Sequence, residues 1–180
     1  MLWQFLYLLA NGLNVPEHPE YGGWGGRFDL VEQKRIRGMS FISRSGKDES
    51  KYDPYYMTAS AKEGVGAINK WRQAIWNNFA ARMSWTAAGI YEEANHHPVA
   101  MIGRDRTLEC LTKSVRPGTV LKVDASSTYD TDGDPMTFRW EIYKEPGTYK
   151  GRIQLQGADL PECSVMIPDD AAGSVIHLVL

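Results

Sequence analysis

The spacing of apolar residues changes once along this chain, and that change constrains its fold more than any other feature. Over residues 61–86, Val65, Ile68, Trp71, Ile75, Phe79 and Met83 recur three or four positions apart. That spacing gathers side chains into one stripe on an α-helix. Ser60 followed by Glu63 suits a capping box at its start, and Gly89 suits its stop. From residue 98 the spacing becomes two. Leu121, Val123 and Ala125 alternate with Val120, Lys122 and Asp124, and Phe138, Trp140 and Ile142 alternate with Arg139, Glu141 and Tyr143. Ile153 and Leu155, then Val165 and Ile167, then Val175 to Leu180 continue the pattern. Turn clusters at Arg116-Pro117-Gly118, Asp130 to Pro135, Glu145-Pro146-Gly147 and Pro168-Asp169-Asp170 separate these runs. Short alternating strands with regular turn signals predict a β-sandwich.

The two patterns predict a mixed architecture with a boundary just after Asn95-His96-His97. Residues 1–97 read as loops plus a long helix, and residues 98–180 as an all-β module. Residues 11–60 are rich in Gly, Pro, Asn, Asp, Ser and Tyr and lack strong periodicity. So long a stretch of loop is unusual in a small domain, so it is expected to lie over a larger body. The apolar start, Met1 to Ala10, has no basic segment before it and no cleavage pattern after it. It reads as a buried piece of a domain that begins earlier. The last alternating run reaches Leu180 without a closing turn. Truncation at both outer ends is therefore the expectation.

Composition narrows the function classes. Net charge is −2 with both signs scattered, so the basic stripe that nucleic acid requires is missing. No apolar run is long enough to span a bilayer. Six Trp and nine Tyr serve equally as core and as flat platforms for sugar rings. Cys110 and Cys163 define neither a metal site nor a disulfide framework, and a bridge between them stays open.

Three places carry candidate chemistry. Asp130, Asp132 and Asp134 form D-x-D-G-D. Carboxylates crowded on one turn repel each other, and calcium favours such hard oxygen ligands, with Gly133 letting the turn fold. The later Glu of an EF-hand loop is missing, and a solvated acidic turn is the alternative. Trp24 and Arg27, inside Tyr21-Gly22-Gly23-Trp24-Gly25-Gly26-Arg27, could stack on a sugar and hydrogen-bond to it. Alternatively they anchor the loop to its own domain, with Arg27 ion-paired. His96 and His97 are adjacent and would point apart along a strand, which suits a linker with local hydrogen bonds better than a shared metal. Trp140 resembles the buried strand tryptophan of sandwich cores. The paired acids Glu92-Glu93 and Asp169-Asp170 are sequence neighbours, which does not establish the separation glycosidase carboxylates need. Neither a nucleophile elbow nor a phosphate loop is present, so catalytic residues stay unassigned.

Phe5 to Leu13, Pro16 to Phe28, Trp71 to Trp85 and Ala94-Asn95-His96-His97-Pro98 resemble the end of the nucleoside-hydrolase-like domain of bacterial cellulose-binding proteins. Val123 to Ser127, Asp130 to Asp134, Phe138-Arg139-Trp140 and Tyr143 to Tyr149 are similar to the immunoglobulin-like C-terminal domain of the same proteins. The resemblance implies that residues 1–97 are a C-terminal remnant of an α/β domain and residues 98–180 an immunoglobulin-like sandwich. It implies a parent that is secreted or periplasmic and takes a carbohydrate or ribosyl-type ligand, with no nucleic-acid or membrane partner. The calcium-binding aspartate cluster of such hydrolases lies upstream of this sequence. A further aspartate ligand opens a late helix in those enzymes, and Asn78 takes its place here. An amide is a weaker ligand for a hard cation. Asn78 therefore joins Trp24 and Arg27 as a candidate ligand-binding residue. The parent is expected to be a glycoside-cleaving enzyme or a non-catalytic polysaccharide-binding protein, or the β-module a calcium-stiffened spacer. The fragment alone is expected to be inactive.

Overall fold

The computed structural model describes residues 15, 18–27, 63, 65–107 and 109–180. Chain contacts divide it into two compact units, Met1–Arg72 and Gln73–Leu180. The division falls at the head of the long helix, upstream of Pro98.

The helical region is two pieces rather than one. Helix α1 spans Gly66–Asn69 and helix α2 spans Arg72–Ala87, with Lys70 and Trp71 between them as turn residues. Ser60, the expected cap, lies outside the described residues. Val65 takes the capping position of α1 and makes no side-chain cap. Glu63 contributes its carbonyl, which accepts a hydrogen bond from the Gly66 amide. The expected stripe does not become a buried face among the described residues. Val65 is 69% exposed, Phe79 47% and Met83 48%, and α2 buries no residue fully. Periodicity places apolar groups on one side of a helix, but a second surface has to cover them. Past the helix, the Gly89 amide donates to the Glu93 carboxylate at 2.9 Å, and Tyr91–Glu93 make one turn of 3-10 helix.

Five strands follow: β1 Val120–Asp124, β2 Glu141–Tyr143, β3 Gln154–Gln156, β4 Glu162–Met166 and β5 His177–Val179. They form two antiparallel sheets, ordered β1-β4-β3 and β2-β5. Leu121 lies opposite Val165 and Val123 opposite Cys163, while Leu155 faces Val165 from β3. This register gathers one side of each strand into a common core, as the alternation predicted. Val165 and Cys163 are each 2% exposed and Trp140 is 3%. Trp140 also donates its indole N–H to the Leu160 carbonyl at 2.9 Å, so its polar atom is satisfied where the ring is buried. Leu178 of β5 and Ile142 of β2 pack with Leu121, Val165 and Ile167. Both sheets therefore share one apolar interior. The alternation breaks at Tyr143, which is buried although it was expected on the outer face.

Pro98 to Asp105 is not a free tether. Val99 bridges Tyr129, the Met101 amide donates to Thr128 Oγ1 at 3.0 Å, and the Gly103 amide donates to the Asp124 carbonyl at 2.6 Å. Gly157 makes the turn from β3 into β4, with φ of 74° and a built Cβ only 2.6 Å from the Glu162 carbonyl. Only glycine tolerates both conditions.

Candidate functional site

The glycine-tryptophan loop folds as a tight turn. The Gly23 and Gly26 amides donate to each other's carbonyls at 3.1 and 3.0 Å, and Gly26 sits at φ 104°, a region closed to other residues. The turn drives Trp24 and Arg27 inward, and each is 8% exposed. Arg27 donates to the Glu20 carbonyl at 3.0 Å and pairs with the Glu63 carboxylate at 3.4 Å. As placed, Trp24 offers no open face for a sugar ring, and the Arg27 charge is met by Glu63. His18 stacks on Tyr21 with ring centres 4.5 Å apart and bonds Glu20 at 2.7 Å. Asn78 lies on α2, in the other compact unit, where its side-chain oxygen accepts from Arg82 Nε at 2.7 Å.

The acidic turn is organised by hydrogen bonds from the protein itself. Asp130 Oδ1 accepts from the Asp132 amide at 2.8 Å and the Asp134 amide at 3.2 Å. Asp132 Oδ2 accepts from the His96 amide at 2.5 Å, and its carboxylate meets His96 Nδ1 at 3.1 Å. Asp134 Oδ2 accepts from the Asn95 side-chain amide at 2.5 Å. Beside them, Tyr91 donates its hydroxyl to Thr131 Oγ1 at 3.1 Å. The His96 ring stacks on Tyr91 at 3.6 Å with planes 5° apart, and on Trp85 at 5.4 Å with planes 18° apart. Trp85 donates its indole N–H to the Asn95 carbonyl at 2.7 Å, and Arg82 lies over the Trp85 ring at 5.4 Å. The His96 amide is the main influence holding the Asp132 carboxyl below its ordinary value, because it hydrogen-bonds the charged form.

Tyr91, Asn95 and His96 are the partners that sequence reasoning missed. The contacts cross 36 to 40 residues of chain, and no local pattern encodes that pairing. Among the described residues, no group of three or more His, Cys, Asp and Glu side chains is placed to hold a metal ion. Elsewhere, Tyr149 donates its hydroxyl to Asp170 at 2.7 Å, a bond that raises the phenol above its ordinary value. Both cysteines are free thiols, Cys110 exposed and Cys163 buried, and burial raises the Cys163 thiol.

Among the described residues, no helix is long and apolar enough to cross a membrane. Comparison with curated proteins found no match. Residues 120–180 match the model of the cellulose-binding protein Sde0182 C-terminal domain, and residues 3–28 match that of the cellulose-binding Sde182 nucleoside hydrolase-like domain. The solved structure of a nucleoside hydrolase-related hypothetical protein from Saccharophagus degradans, described as associated with carbohydrate metabolism, is similar, at 36% identity and a TM-score of 0.75. The similarity covers 93% of this chain and 39% of that one, so this chain spans well under half of its relative's length. The chain is thus similar to cellulose-binding proteins that carry a nucleoside-hydrolase-like domain, matching part of that domain and the C-terminal domain within one polypeptide.

Proposed function

We propose that this chain is the polysaccharide-associating part of a longer cellulose-binding protein, with residues 98–180 as an immunoglobulin-like accessory module and residues 1–97 as the closing part of a nucleoside-hydrolase-like domain. The supporting observation is the collinear match of both family models in one chain, together with 36% identity to the Saccharophagus degradans protein over 93% of this chain and 39% of that one. A shared interior joining two antiparallel sheets supports the sandwich reading. The ligand is a carbohydrate, and the parent works outside the cytoplasm, where insoluble polysaccharide is found. The direct test is retention of the 180-residue chain on insoluble cellulose beside an unrelated β-sandwich of equal charge. Retention above that control is expected; equal elution would end the proposal.

A second reading is that the parent cleaves glycosidic bonds, favoured by the nucleoside-hydrolase-like match over residues 3–28. In that reading this chain contributes scaffold and pocket rim, and Trp24, Arg27 and Asn78 lie near the ligand. Trp24 and Arg27 act there through the shape of the turn, since both side chains are buried. Release of free sugar by the longer protein, lost when Arg27 is replaced by Ala, would support it. Product formation absent from the longer protein would remove it.

A further inference from the structure

The D-x-D-G-D turn has the composition of a cation loop, yet its carboxylates are met by donors from a segment 36 to 39 residues earlier. We propose that this turn is an intramolecular clasp, in which Asn95 and His96 meet the acidic oxygens and lock the exit of helix α2 onto the β-module.

Three features of the geometry support this. The donors are of two kinds, a side-chain amide on Asp134 and a backbone amide plus an imidazole on Asp132, so the binding does not depend on one flexible group. The His96 and Asp132 side chains are 14% and 21% exposed, although Asp132 as a residue lies open to solvent. The His96 ring is stacked on both Trp85, the last tryptophan of α2, and Tyr91, so the group that grips the turn is itself held by the helix and its exit. Downstream the chain is tied at once to the β-module through Val99, Met101 and Gly103. Segment 91–103 therefore works as a strap rather than a hinge, and α2 and the β-module move together. Carboxylates that would repel one another when bare are offset by N–H donors, the role a cation would otherwise fill.

The clasp is tested by amide hydrogen exchange of the 180-residue chain, read at His96, whose N–H is the reporter. Asp132→Asn is expected to speed exchange at His96 by about tenfold, the effect of losing one charge-assisted hydrogen bond. Asp159→Asn, which removes an exposed acid elsewhere, is expected to leave it unchanged. Asn95→Asp places a carboxylate against Asp134 and is expected to speed exchange across 91–97. Combining it with Asp134→Asn exchanges the two roles and is expected to restore protection. Failure of the paired exchange to restore protection, or unchanged exchange in Asp132→Asn, would overturn the clasp. So would slower His96 exchange and a higher melting temperature on adding calcium to the unmodified chain, which would assign the turn to the ion.

Discussion

Helix α2 and strand β4 both carry apolar residues and end in opposite states. In β4, Cys163 and Val165 are 2% exposed, closed in by β1, β3 and residues of the second sheet. In α2 no residue is fully buried, and Trp76 and Phe79 stand 66% and 47% exposed. A strand's register gathers its apolar face with those of its neighbours, and here residues of the second sheet pack across that face. A helix satisfies its own backbone and leaves its apolar stripe to find another surface. An apolar pattern therefore gives the direction of burial, while cover comes from tertiary contact.

That contrast yields predictions of decreasing size. Trp140→Ala empties the most enclosed ring of the β-module and is expected to cost about 4 kcal/mol in denaturant unfolding; a loss below about 1 kcal/mol would mean the β core is not closed. Gly157→Ala combines a left-handed backbone with a Cβ 2.6 Å from the Glu162 carbonyl, and should cost about 2 kcal/mol or more. Gly133→Ala has the same backbone demand but open space around it, so its cost should be nearer 1 kcal/mol; equal losses at both sites would show that the contact with Glu162 contributes nothing. Phe79→Ala on α2 should change the stability of this chain by under about 0.5 kcal/mol, and a core-sized loss there would erase the comparison.

Acid sharpens it differently. The Asp132, Asp124 and Asp105 carboxyls all lie below the ordinary value of 3.8, each lowered chiefly by a hydrogen bond, from His96, Ser126 and Thr107 respectively. A depressed folded value means the contribution is complete above pH 3.8 and is lost as pH falls through the lower folded values. Melting temperature should be insensitive to these groups from neutrality to about pH 4 and drop below it. Asp132→Asn should flatten the acid limb, and an unchanged limb would remove Asp132 from the account.

Local pattern was a good guide wherever the partner lies close in the pattern itself. The phase of β1, the burial of Trp140 and the end of α2 just before Gly89 all follow from spacing and turn residues. The break at Lys70–Trp71, the identity of Arg27's partner, and the burial of Tyr143 did not. Each depends on groups elsewhere in the chain, such as Glu63 facing Arg27. The acidic turn is the sharpest case. Its composition suggested calcium, and nothing within ten residues of it announces His96 or Asn95 as its partners.

The sequence by itself determined that a helical stretch precedes a run of alternating strands and which side of β1 turns inward. These are properties of backbone stereochemistry and hydrophobic period, and they act over a few residues. Only the tertiary structure decided that two sheets share one interior, that a buried arginine meets Glu63, and that the carboxylates of the D-x-D-G-D turn receive donors from far upstream. Those outcomes depend on which polar and charged groups are brought together when water is excluded, and a linear sequence does not state that pairing.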